Sequence, residues 1–179
     1  MIEHRITPGE PVILNEQAEI FITKIIAETV YGLPDITRVH AYNICKDHVH
    51  ALIECNSKIL SNTIRLLKGK SSQRYKEYLG IDSGKEFHLW AQKYNKWLIT
   101  SDEQYNNTFA YIIGNRMKHG LPENKWLQPL VLSMIQSSCD SEYYISYEKE
   151  IARIYGCDRF SKEKLCGLTD EEIWIVEGK

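Results

Sequence analysis

The stretch NICKDHVHALIECN, residues 43–56, decides how this chain folds. Its second half, HVHALIEC, is an apolar, strand-like run, and side chains along a strand alternate between faces with period two. His48 and His50 therefore point to the same face. The preceding ITRVHAYNIC, residues 36–45, also alternates as a strand, and Lys46 and Asp47 alone separate the two. Residues 36–55 thus read as a hairpin, with a turn that lacks the usual glycine. Two aligned imidazoles are a candidate metal site, and packed or surface histidines are the alternative that this stretch leaves open.

Outward from the hairpin, the other elements follow from periodicity and punctuation. IEHRIT, residues 2–7, is short enough for a first strand. NEQAEIFITKIIAETVYGL, residues 15–33, reads as a helix with Asn15 as N-cap and Gly32 and Pro34 at its end. Its apolar positions Ile20, Ile22, Ile25, Ile26 and Val30 are close to helical spacing. Residues 57–79 carry a second helical stripe, Leu60, Ile64, Leu67, Tyr75 and Leu79. Gly69 interrupts that stripe at a cost of about 1 kcal/mol relative to alanine. FHLWAQKYNKWLIT, residues 87–100, is aromatic and β-branched enough for a long strand. A last helix spans about 102–118 and ends at Gly120, with Pro122 just beyond.

The order β-α-β-β-α-β-α predicts an α+β fold, a ferredoxin-like split βαβ with helices on one face of an antiparallel sheet. It accounts for residues 1–121. Residues 122–179 read as a C-terminal extension of loop and helix that closes in an acidic tail, TDEEIWIVEGK.

Composition narrows the class. Hydrophobic content of 43% and charged content of 26% over 179 residues are those of a folded globular chain rather than a disordered one. No apolar run approaches the roughly 18–20 residues that cross a bilayer, and MIEHRITPGE lacks the regions of a signal peptide. A cytoplasmic protein without membrane contact is expected. Five scattered cysteines with no C-x-x-C pair argue against a zinc knuckle or a disulfide framework, and Cys45 and Cys55 read as small core residues. A net charge of −2 gives no global attraction to nucleic acid, so any such contact must be local.

The helix SDEQYNNTFAYIIGNRMKHG, residues 101–120, changes what the histidines mean. Tyr105, Phe109, Ile112 and Arg116 form one stripe, mostly a core stripe with Arg116 at its exposed end. Tyr111 and Asn115 stand one turn apart on a neighbouring face with Gln104 and Thr108. A tyrosine and a carboxamide beside a core stripe suit the lip of a pocket, or else a half-buried aromatic.

Taken in order, DHVHALIE, LLKGKSSQRYKEYL, LWAQKYNKWLIT and YIIGNRMKHGL resemble the single-tyrosine HUH transposases. These comprise insertion-sequence enzymes and REP-associated tyrosine transposases. The likeness runs from about His4 to Leu121. It implies metal-dependent cleavage and rejoining of single-stranded DNA, with DNA hairpins as the recognised form. His48 and His50 would be the metal-binding pair, Asn115 a third ligand and Tyr111 the nucleophile. A phenol with pKa near 10 is a poor nucleophile at neutral pH. A divalent cation, Mg²⁺ or Mn²⁺, would polarise the phosphate and stabilise the leaving 3′-oxygen. The product would be a 5′-phosphotyrosine and a free 3′-OH.

RLLKGKSSQRYK concentrates Arg65, Lys68, Lys70, Arg74 and Lys76, a candidate grip on a DNA backbone with a solvated helix face as the alternative. WAQKYNKW interleaves Lys93 and Lys96 with Trp90, Tyr94 and Trp97, a pattern suited to stacking unpaired bases. His4, His40, His88 and His119 receive no role. Two rival readings stay open: a hairpin-binding protein without transposition, and a phosphoesterase that uses water. Also open is whether the tyrosine helix serves its own chain or a partner in a homodimer.

Overall fold

The computed structural model describes residues 12–33, 38–138 and 172–178. The expected first strand at residues 2–7 and residues 141–156, read as loop and helix, lie outside the described residues. Helix α1 (Glu16–Tyr31) starts where Asn15 caps it, its side chain accepting the Ala18 N–H at 2.8 Å. Strands β1 (Arg38–Cys45) and β2 (His48–Cys55) pair antiparallel as the expected hairpin. Helix α2 (Ser57–Tyr78) runs unbroken through Gly69. Strand β3 (Asn95–Leu98), helix α3 (Asp102–Ile113), a single turn α4 (Asn115–Lys118) and helix α5 (Leu127–Ser138) follow, and strand β4 (Glu172–Gly178) comes last.

The four strands form one antiparallel sheet in the order β1-β2-β4-β3. Two expectations about strands are corrected here. Residues 169–179, read as an acidic tail, supply β4 over 172–178, which lies in the sheet between β2 and β3. In a split βαβ the chain's first strand would take that central slot; here a strand from far downstream takes it. Residues 87–100 were expected as one long strand, and only Asn95–Leu98 pair. The segment before them turns its aromatics onto α2. Trp90 Nε1 donates to Ser71 Oγ at 2.8 Å, and Lys68 Nζ donates to the carbonyls of Ala91 and Lys93 at 2.8 and 3.0 Å. Those carbonyls take a lysine in place of a ladder partner.

The sheet separates two clusters. Ile22, Ile26, Tyr42, Ala51, Ile53, Leu60, Ile64, Met134 and Val176 join α1, α2 and α5 to one face. Ala41, Leu52, Ile99, Tyr105, Phe109, Ile112 and Ile173 join α3 to the other. Helices were expected on one face alone. The alternation of β2 instead puts Leu52 under α3 and its neighbours Ala51 and Ile53 under α1 and α2. A bulge between Val39 and Ala41 turns His40 toward α3 as well. There its ring bonds Glu54 Oε2 at 2.8 Å and Tyr105 Oη at 2.9 Å, all three side chains buried. That histidine is packed, in keeping with the absence of an assigned role.

Candidate active site

The hairpin turn sets the first half of the site. Lys46 adopts φ 47°, a conformation that favours glycine. The turn is held from α1 and the segment before it: Glu19 Oε1 accepts the Lys46 N–H at 2.9 Å, and the Lys46 carbonyl accepts the Leu14 N–H at 2.7 Å. His48 and His50 leave this turn on the α3 face, their rings edge to face with centroids 5.0 Å apart. Asp47 Oδ1 lies 2.7 Å from His48 Nδ1. A proton on Nδ1, shared with the carboxylate, leaves Nε2 with a free lone pair, the usual arrangement of a ligating histidine. Burial pulls the His50 imidazole below its ordinary pKa against the opposing carboxylate of Glu177, and His48 adds to the lowering. A neutral imidazole is the form that binds metal.

The second half comes from α3 and α4. The expected helix over 102–118 is broken at Gly114, yet the Lys118 N–H still bonds the Gly114 carbonyl at 3.0 Å, so the helical path continues. Tyr105, Phe109 and Ile112 are buried as the stripe requires. Arg116, expected at an exposed end, is instead 12% exposed and paired with Glu19 at 2.6 Å. Helix α1 grips that arginine and the hairpin turn with the same carboxylate. Tyr111 is 38% exposed, and its ring stands edge-on to His50 at 5.3 Å. His119, eight residues on along the same face, stands 5.1 Å from the His48 ring. Asn115 lies between them in that spacing, fully buried, and neither Oδ1 nor Nδ2 has a hydrogen-bond partner.

An open pocket of about 430 Å³ results, lined by Cys45, Lys46, Asp47, His48, His50, Tyr111, Lys118, His119 and Glu177. Asn115 is not among the lining residues. Among the described residues, no three His, Cys, Asp or Glu side chains already converge to hold a metal. The donor chemistry nonetheless fits a divalent cation: two imidazoles, one of them pre-oriented, and a buried amide oxygen lacking a partner.

The lining residues given no site role in the sequence include Asp47, Lys118, His119 and Glu177. His119 was set aside, although its i+8 spacing from Tyr111 marks the shared face. Lys118, whose Nζ lies 4.8 Å above the Tyr111 ring, is adjacent to it. Glu177 had no local signal, because it reaches the site through β4.

The basic residues assigned to DNA are on other surfaces. Helix α2 covers the face of the sheet opposite the histidines. On it, Arg74 pairs with Glu28 at 2.8 Å, Lys76 Nζ donates to the carbonyls of Ser83 and Lys85, and Lys68 clips residues 91–93. Arg65 bonds Asn62 at 2.7 Å and is exposed, as are Lys70, Lys93 and Lys96. Lys96 Nζ stands 5.1 Å over the Trp174 ring, also away from the histidines. Trp90 and Tyr94 are half-buried, whereas Trp97 is 51% exposed and pairs with Ile175, on the site's face of the sheet.

An antiparallel sheet with paired strand histidines facing an accessible tyrosine on a packed helix makes an α+β domain consistent with the single-tyrosine transposase class. A family model described as IS200-like transposase matches residues 11–115, more than half of the chain. The chain belongs to that family, the single-tyrosine (Y1) transposases, and its role is that of a DNA transposase. Comparison with curated proteins and with solved structures finds no match. Among the described residues no helix is long and apolar enough to cross a membrane.

Proposed function

We propose that this transposase nicks and rejoins single-stranded DNA through Tyr111, with a divalent cation, Mg²⁺ or Mn²⁺, held by His48, His50 and Asn115. The observation that carries the reading is the accessible Tyr111 ring lying 5.3 Å from His50 in one open pocket. Bound there, the cation would polarise the scissile phosphate and stabilise the leaving oxygen. Tyr111 Oη forms a bond to phosphorus as the bond to the 3′-oxygen breaks. The phenolic proton passes to solvent, and the 3′-oxygen departs as a hydroxyl. The 5′-phosphotyrosine keeps the energy of one phosphodiester, so the reverse attack by a 3′-OH rejoins DNA without another energy source.

The remaining chain positions these groups. Asp47 fixes the His48 ring, and Glu19 holds both the turn before His48 and Arg116 beside Asn115. Lys118, next to Tyr111, supplies positive charge where the phosphodiester must lie. Arg65, Lys70, Lys93 and Lys96, exposed outside the pocket, are the contacts proposed for the flanking backbone of a DNA hairpin. Lys68, Arg74 and Lys76 belong to the same proposed patch, each already engaged within the fold.

The test is incubation with single-stranded hairpin oligonucleotides and Mn²⁺, followed by denaturing electrophoresis. A covalent adduct that needs the metal and disappears in Tyr111→Phe is expected. Cleavage without an adduct would favour water as nucleophile, and binding without cleavage would favour action by occupancy. Light scattering of the protein with and without DNA separates a monomer from a homodimer.

A further inference from the structure

Strand β4 brings to the pocket a group that lies outside the family match. Glu177 is directly opposite His50 in the ladder, and its Oε2 stands 3.2 Å from His50 Nε2. Opposed residues of antiparallel strands project from the same face. Glu177 therefore shares the face of His48 and His50 and lines the same pocket as Tyr111. A carboxylate in a pocket that must admit a phosphodiester repels its substrate unless a cation stands between them.

We propose that Glu177 is a direct ligand of the divalent cation, alongside His48 and His50; the inference rests on the cation reading above. Two ligands at right angles around an ion, with bonds of about 2.0–2.2 Å, lie about 3 Å apart. The present 3.2 Å between His50 Nε2 and Glu177 Oε2 is that spacing. A bound ion would take the place of the His50–Glu177 contact. His48 stands edge to face with His50 at 5.0 Å, and the three side chains do not converge as they lie. A carboxylate beside the imidazoles adds an oxygen donor of the kind that Mg²⁺ or Mn²⁺ favours. The carboxylate also gives the site affinity for the ion before DNA arrives.

The competing role for Glu177 is to orient His50 through the hydrogen bond without touching the ion. Glutamine separates the two, because it keeps the size and the acceptor and loses the charge. The experiment is titration of the DNA-free, full-length protein with Mn²⁺, with free ion read by electron paramagnetic resonance. Wild type, Glu177→Gln, Glu177→Asp and His50→Ala are compared, each first shown to melt cooperatively. Glu177→Gln is expected to weaken Mn²⁺ binding at least about tenfold, Glu177→Asp to recover part of the loss, and His50→Ala to lose binding. Glu177→Gln within about threefold of wild type, or Glu177→Asp no better than Glu177→Gln, overturns the proposal while the loss in His50→Ala keeps the cation reading. Wild type that binds no Mn²⁺, or His50→Ala that binds like wild type, overturns both.

Discussion

Replacing Glu19 with glutamine should loosen the site from below. Glu19 is 3% exposed and engages two parts of the pocket at once. Oε2 accepts from Arg116 Nη1 at 2.6 Å, and Oε1 accepts from the Lys46 N–H at 2.9 Å. Glutamine offers one oxygen and one NH₂ group to these two donors, so one contact becomes donor against donor and the charge is lost. Breaking a buried ion pair by removing one partner costs about 3–5 kcal/mol. Arg116 keeps the carbonyls of Ile44 at 2.9 Å and Pro122 at 3.1 Å, and its side chain is 12% exposed. These reduce the expected cost to about 2–3 kcal/mol. At about 2–4 °C per kcal/mol for a chain of this size, Tm should fall by roughly 4–12 °C. Thermal and urea melts of Glu19→Gln, Arg116→Met and the double variant measure it. Because the double variant removes both charges, its loss should fall short of the sum of the singles by about 1.5 kcal/mol or more. A coupling below about 0.5 kcal/mol would refute the claim that this pair clamps the turn and α4 together.

Other consequences are smaller or more local. Gly69 lies inside α2, and a Cβ built there meets nothing within 4 Å; Gly69→Ala should stabilise the fold by about 0.5–1 kcal/mol, read as a raised urea midpoint. Trp97 is exposed on the site's face, two strands across and two residues along from His50, about 12 Å away. Its replacement by alanine should weaken single-stranded DNA binding by about 1–3 kcal/mol if it stacks on a base, with duplex binding as the control. Burial pushes the Cys45 thiol up to about 11, with Arg116 opposing the rise. At pH 8 roughly one molecule in a thousand then carries the reactive thiolate, against about a quarter for an ordinary cysteine. Peptide mapping after iodoacetamide should find Cys45 unmodified in the folded protein and modified in urea, and rapid labelling of the folded protein would contradict the burial.

Where the sequence was legible, the signals were local. Asn15 as a cap, the 46–47 connection and the Tyr105–Phe109–Ile112 stripe each depend on a few neighbouring residues, and each stands in the fold as read. Tyr111 and His50, which the likeness singled out, stand with their rings 5.3 Å apart. The failures have the opposite character. Residues 87–94 have strand propensity, but Ser71 and Lys68 of α2 capture their polar groups, a tertiary effect invisible along the segment. Strand β4 was hidden because its acidic flanks mask the short apolar run IWIV and its partners lie far away; His50 and Glu177 are 127 residues apart. A polar residue such as Glu177 acquires a role only once that pairing sets its face. His119 was overlooked for a simpler reason: it lies one residue beyond the expected helix end at 118, so its spacing from Tyr111 was not followed that far.

The central claim is that Tyr111, among the chain's 11 tyrosines, carries the DNA. It is tested most directly by mapping the covalent adduct. Hairpin oligonucleotides labelled separately at the 5′ and 3′ ends are cleaved in Mn²⁺, and the protein-bound product is digested and sequenced by mass spectrometry. A 5′-phosphotyrosine at Tyr111 with the 3′-labelled fragment attached, and a free 3′-OH on the other fragment, is the predicted result. Attachment at another residue, or retention of the 5′-labelled fragment, would contradict the account.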